Sequence, residues 1–156
     1  MNPRDLAAPP LTAADIERAQ RAAQLTGRPV AEVLEEQSGL ESEVFVRALA
    51  ATLGYEAIEM ARMNELSPAF DLLPYTEALA RGCVLFRSPA QGLVLVFGDP
   101  FNPALRPWAE ERVPHALHWA LAHVSEVSAY LARHGETMRA MDTVLDEGVR
   151  DDATRG

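Results

Sequence analysis

The stretch Gln91–Leu105, QGLVLVFGDPFNPAL, constrains the fold more than any other part of the chain. It holds an unbroken apolar run, Leu93 to Phe97, between a glycine turn and Gly98-Asp99-Pro100. So short a run fits a strand buried on both faces, because a helix would need more length. A second apolar run, Cys83 to Arg87, precedes it across Ser88-Pro89-Ala90-Gln91-Gly92, and the pair predicts a β-hairpin. Beyond the strand, Gly98 is expected to supply an unusual φ, Asp99 a side-chain turn and Pro100 the stop. Asn102 is expected to cap a helix with Pro103 in its first position, and Pro107 to delay or kink that helix.

The rest of the chain reads as helices and turns around this hairpin. Thr12 with Asp15 three residues on is a capping-box start, and Ile16, Ala19 and Ala23 recur at helical spacing, so a first helix is expected over 13–25. Val30, Val33 and Leu34 predict a second helix closed by Gly39. Val44, Phe45, Ala48, Leu49 and Leu53 predict a third, ended by Gly54. Residues 55–60 are read as a short strand, Pro74 as the start of a short helix, and Leu117, Trp119 and Leu121 alternate as a strand does. Ser125 is expected to cap a helix carrying Val127, Tyr130 and Leu131, and Thr137–Leu145 to form a separate amphipathic segment ahead of a polar linker. The expected fold class is α+β, a small helical N-terminal subdomain followed by a compact β-β-α-β-α subdomain with a small sheet. The corresponding division is a flexible leader over 1–11, helices over 12–54, an α/β part over 55–135, and a terminal helix and linker over 136–156.

Composition excludes several functions. The formal charge of −9 argues against a nucleic-acid partner, since that binding draws on Lys and Arg neutralising phosphates. All 14 basic residues are Arg, so neither a phosphate-binding loop of the GK[ST] type nor a Schiff-base lysine exists in this sequence. Cys83 stands alone in an apolar run and reads as a small buried hydrophobe. No stretch has the pattern of a signal peptide or the length of a membrane span, and the expected location is cytoplasmic without direct membrane insertion. His115, His118, His123 and His134 lack the spacing of a zinc motif and read as solvent-facing residues at strand ends. No catalytic residue, metal site or cofactor is expected. Trp108 and Trp119 read as core or subdomain contacts.

Taken together, Gly27-Arg28-Pro29-Val30-Ala31-Glu32-Val33-Leu34, Leu40 through Arg47-Ala48-Leu49-Ala50 to Leu53-Gly54-Tyr55, Leu73-Pro74, and the strand Leu93–Phe97 closing on Gly98-Asp99-Pro100 resemble a known pattern. The chain is similar, over residues 12–135, to the amino-terminal domain of type II secretion and type IV pilus assembly ATPases, a domain also appended to some bacterial membrane glycosyltransferases. The resemblance implies a non-catalytic interaction domain. Its partners would be the cytoplasmic domain of an inner-membrane secretion platform protein and a C-terminal ATPase domain of the same polypeptide. It also implies placement at the inner membrane through a protein partner. Glu35, Glu36, Glu41 and Glu43 crowd one segment and are the candidates for that contact. Some family members bind cyclic di-GMP through motifs opening Arg-Leu-Gly. Here Pro29-Val30-Ala31 falls at that position, leaving Arg28, by a one-residue slip, as the nucleotide contact in the alternative reading of a cyclic di-GMP sensor. A regulatory module on a membrane glycosyltransferase is a further alternative.

Overall fold

Each of the first three helices forms where the sequence supplies its ends. The computed structural model describes residues 11–155, and for 145–155 the backbone alone. Helix α1 (Ala13–Thr26) opens on the expected capping box: Thr12 Oγ1 accepts from Asp15 N, and the Asp15 carboxylate accepts from Thr12 N. It closes on Gly27 at φ 70°, a left-handed position that favours glycine. Helices α2 (Val30–Ser38) and α3 (Ser42–Leu53) follow, then strand β1 (Glu56–Ala57), helix α4 (Met60–Glu65), strand β2 (Ser67–Pro68) and helix α5 (Tyr75–Arg81). The hairpin is β3 (Cys83–Ser88) and β4 (Gly92–Phe97), and helix α6 (Leu105–Arg112), strand β5 (His118–Leu121) and helix α7 (Val124–Arg155) complete the described chain. The leader's first ten residues lie outside the described residues. Leu11, expected at its end, is a buried core residue whose carbonyl accepts from Thr52 Oγ1.

The strands form one mixed sheet in the order β1-β5-β4-β3-β2. Strands β3 and β4 pair antiparallel, with Leu85 opposite Leu95, while β5 runs parallel to both β4 and β1. Alternation along the strands then sorts the side chains onto two faces. Cys83, Leu85, Leu95, Phe97, Trp119 and Leu121 join the buried residues of α1, α2, α3 and α6. Val84, Phe86, Val94, Val96 and Ala120 join Met63 of α4, Ala78 of α5, and Val127, Tyr130 and Leu131 of α7. The result is an α+β fold of three layers with the hairpin in the middle. The first of these cores is continuous across the expected boundary at residues 54 and 55.

Four local expectations are corrected. Asn102 does not cap α6: its Oδ1 accepts from Ala104 N in a turn ahead of the helix, which starts at Leu105. That start makes Pro107 the third helical residue, where a missing N–H breaks no helical hydrogen bond. Ser125 does not cap α7, because the helix begins at Val124 and the Ser125 N–H donates to His123 Nδ1 at 3.1 Å. The segments expected as two helices and a linker are one helix through Arg155. Finally, Gly98 has no positive φ. A Cβ there would stand 2.8 Å from Val124 Cα, so glycine is needed because two backbones meet. Asp99 turns the chain as expected, its Oδ1 accepting from Phe101 N at 2.9 Å.

Gly98→Ala should therefore force the β4 exit away from the start of α7 and cost about 1–3 kcal/mol, the usual penalty of overpacking. Urea unfolding followed by circular dichroism measures this. An unchanged midpoint would contradict the backbone contact.

Candidate functional site

Two places merit attention: the turn between α1 and α2, and the crevice where α2 and α3 meet the ends of β4 and β5. At the turn, Arg28 precedes Glu32 by four residues and Glu36 by eight, so both carboxylates rise from one face of α2 toward its guanidinium. Arg28 Nη2 lies 2.8 Å from Glu32 Oε1, and Nη1 lies 2.8 Å from Glu36 Oε2. The hydrogen bonds it donates to Glu36 and then Glu32 hold the guanidinium in its charged form even more firmly than usual. Arg28 in turn holds the Glu36 carboxyl below its ordinary range. Two faces of the cation are thus occupied, and a phosphodiester would have to displace or share a carboxylate partner. Pro29 offers no N–H, and Ala31 places a methyl where a glycine would leave the backbone open.

The crevice, about 320 Å³, has a floor of the buried Phe45, Val46, Leu49, Leu121 and Ala122, with the exposed Pro29 at its edge. Gly98 and Asp99, from the end of β4, form one side, and Glu32, Glu35, His123 and Val124 line the mouth. It thus opens at the carboxyl ends of the parallel pair β4 and β5, where open α/β sheets commonly leave room for ligands. Across its rim, His123 Nε2 lies 2.6 Å from Glu35 Oε1, joining groups 88 residues apart. Their side chains are only 16% and 25% exposed. His123 Nδ1 in turn lies 2.6 Å from Ser125 Oγ and 3.1 Å from Ser125 N, so both ring nitrogens are engaged. Ser42 Oγ donates to the other Glu35 oxygen at 3.0 Å. The contact ties α2 to the junction of β5 and α7.

The structure does not bring the four candidate glutamates together. Glu35 is committed to His123 and Ser42, and Glu36 to Arg28. Glu41 and Glu43 are exposed at the start of α3, Glu41 as its N-cap without a side-chain cap bond. The histidines also differ from expectation. His115 is exposed and His118 bonds Glu56, but His123 is half-buried against Glu35, and His134 stacks among Phe70, Tyr75 and Tyr130. Among the described residues no three His, Cys, Asp or Glu side chains converge to hold a metal. Trp119 is buried beneath the Arg106 guanidinium, 4.9 Å from the ring centroid. Cys83 is fully buried, and burial pushes its thiol up to about 12.

These elements define a class by fold: a small α+β domain of a kind already seen in two solved structures. The chain is similar to MshE, solved with cdg, at a TM-score of 0.60 and 21% identity over 79% of this chain and 89% of that one. It is also similar to the N-terminal domain of XpsE, at a TM-score of 0.52 and 18% identity over 79% of this chain and 86% of that one. At such identities the likeness is one of fold. No protein-family model and no curated protein matches the sequence. Among the described residues no helix is long and apolar enough to cross a membrane.

Breaking the rim contact should be costly on either side, since each change leaves a half-buried polar group without its partner. His123→Ala and Glu35→Ala should each destabilise the chain by about 1–3 kcal/mol. The double variant should lose less than the sum, and a double-mutant cycle in urea measures the coupling. The Cys83 thiol should resist iodoacetamide at pH 8 in the folded protein and react promptly in denaturant. Fast labelling of the native chain would show that the sheet core opens readily.

Proposed function

We propose that this chain is a non-catalytic interaction and regulatory domain of a type II secretion-type ATPase. It docks a C-terminal motor domain of the same polypeptide to the cytoplasmic domain of an inner-membrane platform protein. It acts in the cytoplasm and is held at the membrane through that partner. The observation that carries the reading is the fold shared with the N-terminal domain of XpsE over 79% of the chain. The absence of lysine agrees with it, because ATP hydrolysis by a P-loop needs a residue this sequence lacks.

The second reading, a cyclic di-GMP sensor, is favoured by the likeness to MshE solved with cdg. Electrostatics weighs against it. The one guanidinium at the α1–α2 turn is already shared by Glu32 and Glu36, and the neighbouring backbone is closed by Pro29 and Ala31.

Calorimetry separates the two. The chain should bind the cytoplasmic domain of its platform protein saturably and give no saturable heat with cyclic di-GMP at micromolar concentration. Micromolar nucleotide binding that disappears in Arg28→Ala would reverse the assignment.

A further inference from the structure

The crevice at the ends of β4 and β5 has an apolar floor and an acidic mouth. Phe45, Val46 and Leu49 from α3 face Leu121 and Ala122 from the end of β5, and Val124 at the lip is 53% exposed. An exposed branched aliphatic beside an apolar hollow offers a surface that gains by being covered. The charge around it has one sign. Glu32, Glu35 and Asp99 line the mouth and Glu36 stands one turn from Glu32; Glu32 and Glu36 share the single guanidinium of Arg28, Glu35 bonds His123, and no guanidinium pairs with Asp99 among the described residues. No arginine lines the crevice itself.

This arrangement selects among occupants. A nucleotide or an anionic lipid surface would bring negative charge toward carboxylates, in a protein whose net charge is already −9. The start of α7 does not compensate, because the Ser125 N–H goes to His123 Nδ1, and the Glu126 and Val127 N–H groups go to the His123 carbonyl. A cation with an apolar body meets the opposite conditions, since its charge is attracted at the lip while its hydrocarbon replaces water on the floor. Asp99 is well placed for the first part: one of its oxygens turns the chain at Phe101, and its carboxylate stays half-exposed at the mouth.

We propose that this crevice is the socket for a protein segment presenting a large apolar side chain flanked by arginine or lysine. The inference rests on the docking reading above and gives the partner's contact a location and a chemistry. The apolar residue enters between α3 and the end of β5, and the flanking cations lie over Glu32 and Asp99. Glu35 acts through the fold, because its bond to His123 holds α2 against the β5–α7 junction and so keeps the socket's width.

The test uses the full chain, ¹⁵N-labelled, and two acetylated peptides with the same Leu-Phe pair, one flanked by arginines and the other by glutamates. The arginine peptide should shift the amides of Val46, Gly98, Ala122 and Val124 saturably, with an affinity that falls as salt rises, and the glutamate peptide should not. Glu32→Gln combined with Asp99→Asn should weaken the arginine peptide at least fivefold while leaving the turn acceptor at position 99 in place. Ala31→Phe, which fills the mouth from α2, should abolish binding. The nearly isosteric double variant keeps the test independent of any folding defect in Ala31→Phe. Equal binding of both peptides, shifts on another face, no saturable shift, or an indifferent double variant would overturn the socket. If the platform domain binds the parent and Ala31→Phe equally, docking stands and the socket falls. If the arginine peptide saturates the crevice but no platform domain binds, the socket stands and docking falls.

Discussion

Burial of the hairpin on both faces is the condition on which the other elements depend. Val84, Phe86, Val94 and Val96 point one way, and Cys83, Leu85, Leu95 and Phe97 the other, and none is more than 2% exposed. A sheet of this kind cannot rest on one helical layer, since leaving either face wet would forfeit about 1.5–3 kcal/mol for each large side chain. The helices preceding the sheet and α6 cover one face, and α4, α5 and the first turns of α7 cover the other. The short helices gain their stability in the same exchange, because segments of 9 to 14 residues are marginal in water alone.

That layering also creates the crevice. Residues of α2 and α3 and the residues at the carboxyl ends of β4 and β5 line it together. The Gly98–Val124 backbone contact closes one side of the gap and the Glu35–His123 bond spans another, leaving an apolar floor between them. The same α2 carries Glu32 and Glu36 to Arg28, so one helix both neutralises the lone cation of the turn and adds acid to the crevice mouth.

Much of this fold was legible in the residues themselves, and the exceptions have physical causes. Thr12, Asp15 and Gly27 announce α1 because capping is local chemistry, and the hairpin follows from two apolar runs across a glycine turn. Strands β1 and β2 are two residues each, too short to carry a period, and they exist because neighbouring strands hold them. Helix α6 starts late because Pro107 fixes where a missing N–H is harmless. Gly135 lies inside α7 despite glycine's poor helix propensity. A Cβ there would overlap the Tyr75 hydroxyl, which donates to the Leu131 carbonyl. The crevice was least legible, since the bond between Glu35 and His123 joins positions 88 residues apart and neither belongs to a recognisable motif. The Glu32 and Glu36 fork on Arg28 did carry a signal, the spacing of four.

The edges of the sheet limit how anything can attach to it. Both outer strands are only two residues long, and one of them, β2, includes Pro68, which has no N–H to donate. Glu56 puts a charge on the other edge. Long flat edges invite strand addition, whether by a partner or by another copy in aggregation, and edges of two residues with a proline or a charge discourage it. A partner of this fold would therefore have to meet side chains on helices and at strand ends, gaining affinity through shape and charge rather than through a shared ladder of backbone hydrogen bonds.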